Sequence, residues 1–140
     1  MALADTNTII RAYLFTQSSL TTLIGSTSPR ICCPKLTEGC TLPAISFLTR
    51  GGPSIPDVRG TVHPSVQFSC WADNPIAARQ AYSALYNSLH GIKLVPVTVG
   101  IHAYTILESQ EEVQGQDMQD PDAPNYYKVL AFFSMLIQAI

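Results

Sequence analysis

Few side chains in this 140-residue sequence have the types and the spacing that chemistry at a site requires. The cysteines and histidines are Cys32, Cys33, Cys40, Cys70, His63, His90 and His102. The cysteines lack the paired Cys-x-x-Cys spacing of zinc sites, and no histidine has a second ligand residue at a suitable spacing. No local Ser/His/Asp or Cys/His signature is present either. We therefore predict no catalytic residue, no metal site and no cofactor, and we expect the cysteines to be reduced, small apolar side chains of the interior.

Acidic side chains are concentrated in one segment, residues 108–125. Its acids are Glu108, Glu111, Glu112, Asp117, Asp120 and Asp122, and it contains no base. The rest of the chain holds the other four of the ten acids and all eight bases, so its net charge is +4 against −6 for the segment. Neither value is large enough to predict general nucleic-acid binding. The segment joins two predicted strands, and we predict a long flexible hairpin loop or the tip of a β-ribbon. A loop of this length is usually functional or disordered.

Three further residues are candidates for contacts with a partner. Arg50 and Arg59 flank the glycine-rich segment 51–60, which is predicted to be a flexible loop. These arginines would contact a neighbouring subunit or a phosphate backbone, unless they are simply solvated. Trp71 lies on the opposite face of its predicted strand from Phe68, and it either covers the sheet or anchors a partner as an exposed aromatic.

The composition favours a subunit of an assembly. Charged residues make up 13% of the sequence, about half of the ~25% typical of a soluble domain. A small protein with so little charge often hides part of its surface against neighbours. The N-terminus lacks a basic region followed by an apolar run, and the longest apolar run, residues 129–137, is too short to cross a bilayer. We expect a protein that is made and kept in a cytosol, with no membrane partner.

A strand followed by a helix, over residues 65–91, is the centre of the predicted fold. The strand alternates apolar and polar side chains, and its apolar face comprises Val66, Phe68 and Cys70. Asn74 is a suitable N-cap, and Pro75 fits the first helical position, where its missing N–H is not needed. The apolar stripe of the helix comprises Ala78, Tyr82, Leu85 and Leu89. Gly91 fits the left-handed position after the helix.

The other predicted elements surround this unit. A first helix spans residues 5–17, with a short second helical turn ending at Gly25, and strands span 30–33, 44–50, 61–72, 93–107 and 126–140. Gly100 is interpreted as a bulge within its strand. The last strand is apolar on both faces, which predicts that one face meets helices and the other meets a further layer or another subunit. This order of elements predicts one α+β domain over residues 1–140.

Several short motifs follow one another in a recognisable order over residues 8–137. They are Leu23-Ile24-Gly25 at a helix end, Arg30-Ile31 with Pro34, Leu42-Pro43-Ala44-Ile45 before a glycine-rich loop, Val66-Gln67-Phe68 and Cys70-Trp71-Ala72, Ala78-Arg79 in a helix ending Leu89-His90-Gly91, and a final hairpin with an aromatic-rich strand. In this order and spacing the chain resembles the small tail-completion, or tail-terminator, proteins of long-tailed bacteriophages.

The resemblance implies a fold and a structural role. The fold would be a twisted, mainly antiparallel sheet of about five strands packed by two main helices. Copies of the chain, usually six, would form a ring at the head-proximal end of the tail tube, stop tube growth and present a surface to the head connector. The expected partners are therefore other copies, the tail-tube protein and head-connector proteins. The expected location is the virion, with the host cytoplasm during assembly.

Within that role, Arg50, Arg59 and Trp71 are the candidates for subunit or partner contacts. The acidic segment 108–125 is the candidate for the ring edge or the central channel, where its charge would repel DNA that passes without specific binding. Three alternatives remain open: a head-completion or neck adaptor between portal and tail, a small cytosolic hydrolase that uses Cys70 or His102, and a host-side binding module.

Overall fold

The computed structural model describes residues 5–25, 30–33, 35, 41–53, 60–119 and 126–139. Within these residues the helices are α1 (Thr6–Phe15), α2 (Ser18–Ile24) and α3 (Pro75–Leu89). The strands are β1 (Ile31–Cys32), β2 (Ala44–Thr49), β3 (Thr61–Val62), β4 (Ser65–Ala72), β5 (Ile92–Val99), β6 (His102–Gln119) and β7 (Tyr127–Ala139).

The strands form one curled sheet in the order β1-β2-β4-β7-β6-β5, and β3 pairs with the end of β7. Among the described residues only the β1–β2 pair is parallel, and the other pairs are antiparallel. The predicted α+β class is confirmed. The details differ from the expected sheet of about five strands packed by two main helices. The described residues form seven strands, because the predicted strands 61–72 and 93–107 each divide into two, and the predicted short helical turn is a third helix, α2.

The central strand–helix unit forms as its sequence predicts. The Asn74 side chain accepts a hydrogen bond from the Ala77 N–H at 2.8 Å, and Pro75 is the first residue of α3. The helix buries one stripe of its surface, which comprises Ala78, Ala81, Ala84, Leu85, Ser88 and Leu89. Gly91 follows with a φ of 78°, as a helix end in the left-handed region requires.

The three helices cover one face of the sheet, here called the helix face. At its centre the ring of Phe68 lies 5.6 Å from that of Phe47 and 5.5 Å from that of Phe133, centre to centre. The opposite face, here called the open face, carries half-buried side chains such as Leu130 and Phe132 of β7. No helix of the described residues packs on this open face. The prediction that β7 is apolar on both faces is therefore confirmed, and one of those faces lacks a covering layer within these residues.

Residues 93–107 form two strands rather than the single strand predicted. Val99 pairs with His102, and Gly100 and Ile101 form a two-residue turn between β5 and β6. Gly100 has a φ of 62°, and glycine at the first central position is typical of a tight hairpin turn. The interpretation of Gly100 as a bulge was wrong. No sign of the turn was visible in the sequence, because alternating small and apolar residues continue on both sides of it.

The acidic segment is mostly strand. Residues 108–119 form the second half of β6 and pair with β7, with irregularities in the register at Ile106/Glu108, Glu111/Val113 and Val113/Gln116. The prediction of a long flexible loop was wrong for these residues, and the alternative of a β-ribbon describes them. Residues 120–125 lie outside the described part of the chain. In the other predicted loop, residues 51–53 form no helix or strand, and residues 54–59 lie outside the description.

Candidate functional site

Arg50 lies on the open face, where it links three strands. Its guanidinium group donates hydrogen bonds to Ser65 Oγ at 2.7 Å and to Glu112 Oε1 at 3.0 Å. The Ser65 hydroxyl donates to the same carboxylate oxygen at 2.9 Å, and the guanidinium carbon lies 4.1 Å from the centre of the Phe132 ring. The side chains of Arg50 and Glu112 are 41% and 39% exposed, so the ion pair contributes only about 0–1 kcal/mol to stability. Its main effect is to hold a flat cation over an aromatic ring.

Trp71 is also on the open face, at the opposite end of β4 from Ser65. Its indole N–H donates to Ser46 Oγ at 2.9 Å, and its ring contacts Tyr126 edge to face at 6.3 Å between centres. The Lys128 ammonium lies 5.0 Å from the ring centre. Trp71 is half-buried with these partners, as expected of an aromatic that covers the sheet.

Two of the acids point toward α3 rather than to the open face. The Tyr82 hydroxyl donates a short hydrogen bond to Glu111 Oε2. Burial and then this hydrogen bond to Glu111 raise the pKa of Tyr82 above its usual value. Asp117 Oδ1 accepts from Arg79 Nε at 2.8 Å, and the same guanidinium lies over the Tyr82 ring at 5.5 Å. The contact between α3 and β6 therefore neutralises part of the acidic segment.

Side chains of α3 and of His90, the residue that follows it, also contact one edge of β6. Strand β5 pairs with β6 only as far as Ser109, and no other strand of the described residues pairs with this edge beyond that point. The Glu111 N–H donates to His90 Nδ1 at 3.0 Å, and the Gly115 N–H donates to the Tyr82 hydroxyl at 3.1 Å. Eight helical residues rise about 12 Å and four strand residues span about 13 Å, so Tyr82 and His90 match Gly115 and Glu111. An unpaired strand edge is thereby blunted against association with other strands.

Gly115 is needed for this close approach. A Cβ atom at this position would lie 2.6 Å from Val129 Cγ1 and 2.8 Å from Tyr82 Cζ. The Gly115 carbonyl also accepts a hydrogen bond from Arg79 at 3.2 Å. The glycine therefore lets the ribbon pass between α3 and β7 while its backbone remains hydrogen-bonded.

The four described acids of the segment do not lie on one surface. Glu112 lies on the open face with Arg50, whereas Glu111 and Asp117 lie toward α3. Glu108 is exposed and lies opposite Lys93 in the β5–β6 register. The expectation of one acidic loop is wrong for these four residues, which are part of β6, and their place at a ring edge or channel stays a prediction. Asp120, Asp122 and Arg59 lie outside the described residues.

Sequence reasoning missed the side chains that hold the ribbon. They are Arg79 and Tyr82 of α3 and His90, the residue that follows α3. Together with Tyr86 they share one side of the helix at spacings of three and four. The rings of Tyr86 and His90 stack at 4.6 Å between centres, and those of Tyr82 and Tyr86 lie 6.4 Å apart. The spacing was visible in the sequence, but the strand that these side chains contact was not, because its polar residues show no strand periodicity.

Three shallow clefts adjoin α3. One of about 430 Å³ is lined by Tyr82, Ser83, Tyr86, Asn87, Glu111 and Gln114. A second of about 450 Å³ is lined by Pro75, Ile76, Arg79, Gln80 and Ser83. The third, of about 280 Å³, lies between the start of α3 and the ends of β6 and β7 and is lined by Pro75, Ala78, Asp117, Met118, Gln119, Tyr127 and Lys128. All three offer contact surface along one side of the molecule.

None of the described cysteines and histidines lines one of these three clefts. Cys40 lies outside the described residues. Cys70 is fully buried in β4, and burial raises the pKa of its thiol to about 12. It is the small interior side chain that we expected, whereas Cys33 is exposed, contrary to that expectation. Within the described residues, no group of three or more His, Cys, Asp or Glu side chains is placed to hold a metal ion.

Comparison with known proteins adds no family assignment. The sequence matches no protein-family model and no curated protein sequence. Among the described residues, no helix combines the length and the apolar character needed to cross a bilayer.

Proposed function

We propose that this protein is a structural virion subunit of a long-tailed bacteriophage. Copies of the chain would form a ring, with six subunits expected, at the head-proximal end of the tail tube. The ring would end tube polymerisation and provide the surface for head joining. Its partners would be the tail-tube protein and the head-connector proteins, and DNA would pass through without specific binding. In this proposal the protein has no enzymatic activity.

The open face of the sheet is the observation that best supports an assembly role. Strand β7 carries Leu130, Phe132 and Leu136 on this face, and all three are only half-buried. A sheet with apolar side chains on both faces is typical of one covered on both. With helices on one face only, the second face is suited to another subunit. The low charge of the sequence and the motif order described above point to the same role.

The site residues offer less support for the hydrolase alternative. The thiolate is the nucleophile in cysteine catalysis, and burial holds Cys70 as a thiol, with its pKa raised to about 12. His102 begins β6 beside the exposed hairpin turn, where its ring lies 6.5 Å from that of Tyr104. Within the part of the chain that the structure describes, neither residue has the base–nucleophile contact that such chemistry needs.

A neck adaptor is the second candidate within phage assembly. Like a terminator, a neck adaptor would have surfaces for partner proteins, but its loss would leave the tail length unchanged. Adaptors of this kind are often mostly helical or small barrels, and a mainly antiparallel sheet counts against the helical kind alone.

The decisive experiment is electron microscopy of a lysate from a phage that carries an early stop codon in this gene. We expect filled heads beside separate tails of abnormal, overlong length, and we expect a plasmid copy of the intact gene to restore normal particles. Tails of normal length that fail to join heads would favour the adaptor. Normal infectious particles without the protein would refute any virion role.

A further inference from the structure

His90, the residue after α3, is positioned by three separate contacts. Its backbone N–H donates to the Tyr86 carbonyl at 2.8 Å, and the N–H of the next residue, Gly91, donates to the Ser109 carbonyl at 2.8 Å. Its ring stacks on that of Tyr86 at 4.6 Å between centres, with 12° between the two planes. Although the residue is exposed, these contacts hold its ring in one place beside β6.

The hydrogen bond between this ring and β6 determines which ring nitrogen carries a proton. The Glu111 N–H can only donate, so His90 Nδ1, at 3.0 Å, must accept through its lone pair. A neutral imidazole accepts at one nitrogen and donates at the other, whereas in the imidazolium ion both nitrogens carry a proton. The bond therefore exists only while His90 is neutral, with its proton on Nε2.

This bond takes the place of a contact between strands. Beyond Ser109, the N–H groups on this edge of β6 that α3 and its following residue reach are those of Glu111 and Gly115. The acceptor at Glu111 is an imidazole nitrogen, and a histidine ordinarily titrates at about pH 6.5. The acceptor at Gly115 is the Tyr82 hydroxyl, and burial raises the pKa of Tyr82 above its usual value. Between about pH 5 and about pH 8, only the imidazole changes its protonation.

The neighbouring groups keep their charges in this range of pH. The titratable side chains on the elements beside His90 are Tyr86 of α3, Glu108 and Glu111 of β6, Lys93 of β5 and Tyr13 of α1. Carboxyl groups ordinarily titrate at about pH 4, and phenol and ammonium groups at about pH 10. The Glu111 carboxylate is directed to the Tyr82 hydroxyl, and Glu108 lies opposite Lys93. The histidine is therefore the group of this neighbourhood that responds to mild acid.

We propose that uptake of a proton by His90 releases the Glu111 N–H and loosens the edge of β6 beyond Ser109. When Nδ1 gains a proton, two donors face each other across 3.0 Å, so the ring turns away and the amide is left to water. The contact stabilises the edge above the pH at which His90 titrates, and it is lost as the pH falls below that point. The blunting of this strand edge against other strands thus depends on pH. The inference concerns the chain itself and is independent of the proposed tail role.

Amide hydrogen exchange of the full-length protein, followed by NMR, tests the proposal. The quantity measured is the protection of the Glu111 amide, which compares its exchange rate with that of an unstructured peptide at the same pH, so the pH dependence of the exchange chemistry cancels. From about pH 7.5 to about pH 5 we expect this protection to fall by about threefold to tenfold, because one ordinary hydrogen bond is lost. The protection of the Gly115 amide should fall less, since its acceptor does not titrate in this range.

His90→Asn is the matched variant. The side-chain oxygen of asparagine is bonded to Cγ, as Nδ1 of histidine is, and it accepts a hydrogen bond at every pH. In this variant the protection of the Glu111 amide should be the same at both pH values. All other titratable groups, including His63 and His102, are unchanged in the variant, so their effects would persist in it.

Three results would overturn the proposal. The first is equal protection of the Glu111 amide at both pH values in the wild type. The second is an equal fall in the wild type and in His90→Asn, which would assign the pH dependence to another group. The third needs no variant: the long-range proton–nitrogen NMR spectrum of the His90 ring at neutral pH should show the proton on Nε2, and a proton on Nδ1 would exclude the hydrogen bond.

Discussion

Gly115 shows how a single residue sets the distance between α3 and the β6–β7 ribbon. A Cβ atom at Gly115 would contact Val129, which is buried, and Tyr82, whose hydroxyl makes two hydrogen bonds. Moving Val129 away would lose core packing, and moving Tyr82 away would lose those hydrogen bonds. The backbone of Gly115 is not in the left-handed region, so any cost of adding a side chain is one of space rather than of conformation.

We expect Gly115→Ala to destabilise the protein by about 1–2 kcal/mol. Overpacking costs about 1–3 kcal/mol, and the lower entropy of the unfolded chain returns about 0.4–1 kcal/mol. Urea denaturation followed by circular dichroism measures the difference. Gln114→Ala, at the exposed neighbouring position, is the control and should change stability by less than about 0.5 kcal/mol. Equal stability of Gly115→Ala and the wild type would mean that the ribbon is not packed against Tyr82.

At the scale of elements, α3 acts in place of a neighbouring strand for the distal half of β6. Tyr82 makes two of these contacts with one atom: its hydroxyl accepts a hydrogen bond from the Gly115 N–H and donates one to the Glu111 carboxylate. Removing that oxygen leaves a backbone donor and a half-buried carboxylate without these partners. Loss of one partner from a buried or half-buried pair costs about 1–3 kcal/mol.

We therefore expect Tyr82→Phe to weaken this edge locally. The Gly115 amide should exchange with solvent deuterium at least tenfold faster, and global stability should fall by about 1–2 kcal/mol. Tyr86→Phe is the matched control, because its ring is half-buried on the same stripe and its hydroxyl is not part of this network. Hydrogen exchange followed by NMR measures the rate at the Gly115 amide alone. Unchanged exchange at Gly115 in Tyr82→Phe would exclude the proposed role of the hydroxyl.

Elements with local signals were predictable from the sequence, and elements stabilised by distant contacts were not. Asn74, Pro75 and Gly91 mark the limits of α3, and they have the roles that their residue types indicate. The distal half of β6 gave no such signal, because its exposed polar residues are in a strand only through pairing with β7 and capping by α3. The partners of Arg50 were invisible for the same reason, since Glu112 is 62 residues away along the chain.

At the scale of the whole molecule, the sheet has two unequal faces. Within the described residues the helix face is covered by α1, α2 and α3, whereas the open face carries Leu130, Phe132 and Leu136 of β7, all half-buried. A sheet with apolar side chains on both faces is typical of one that is covered on both. The open face is therefore the candidate surface for another layer, and a second subunit in the proposed ring would supply it.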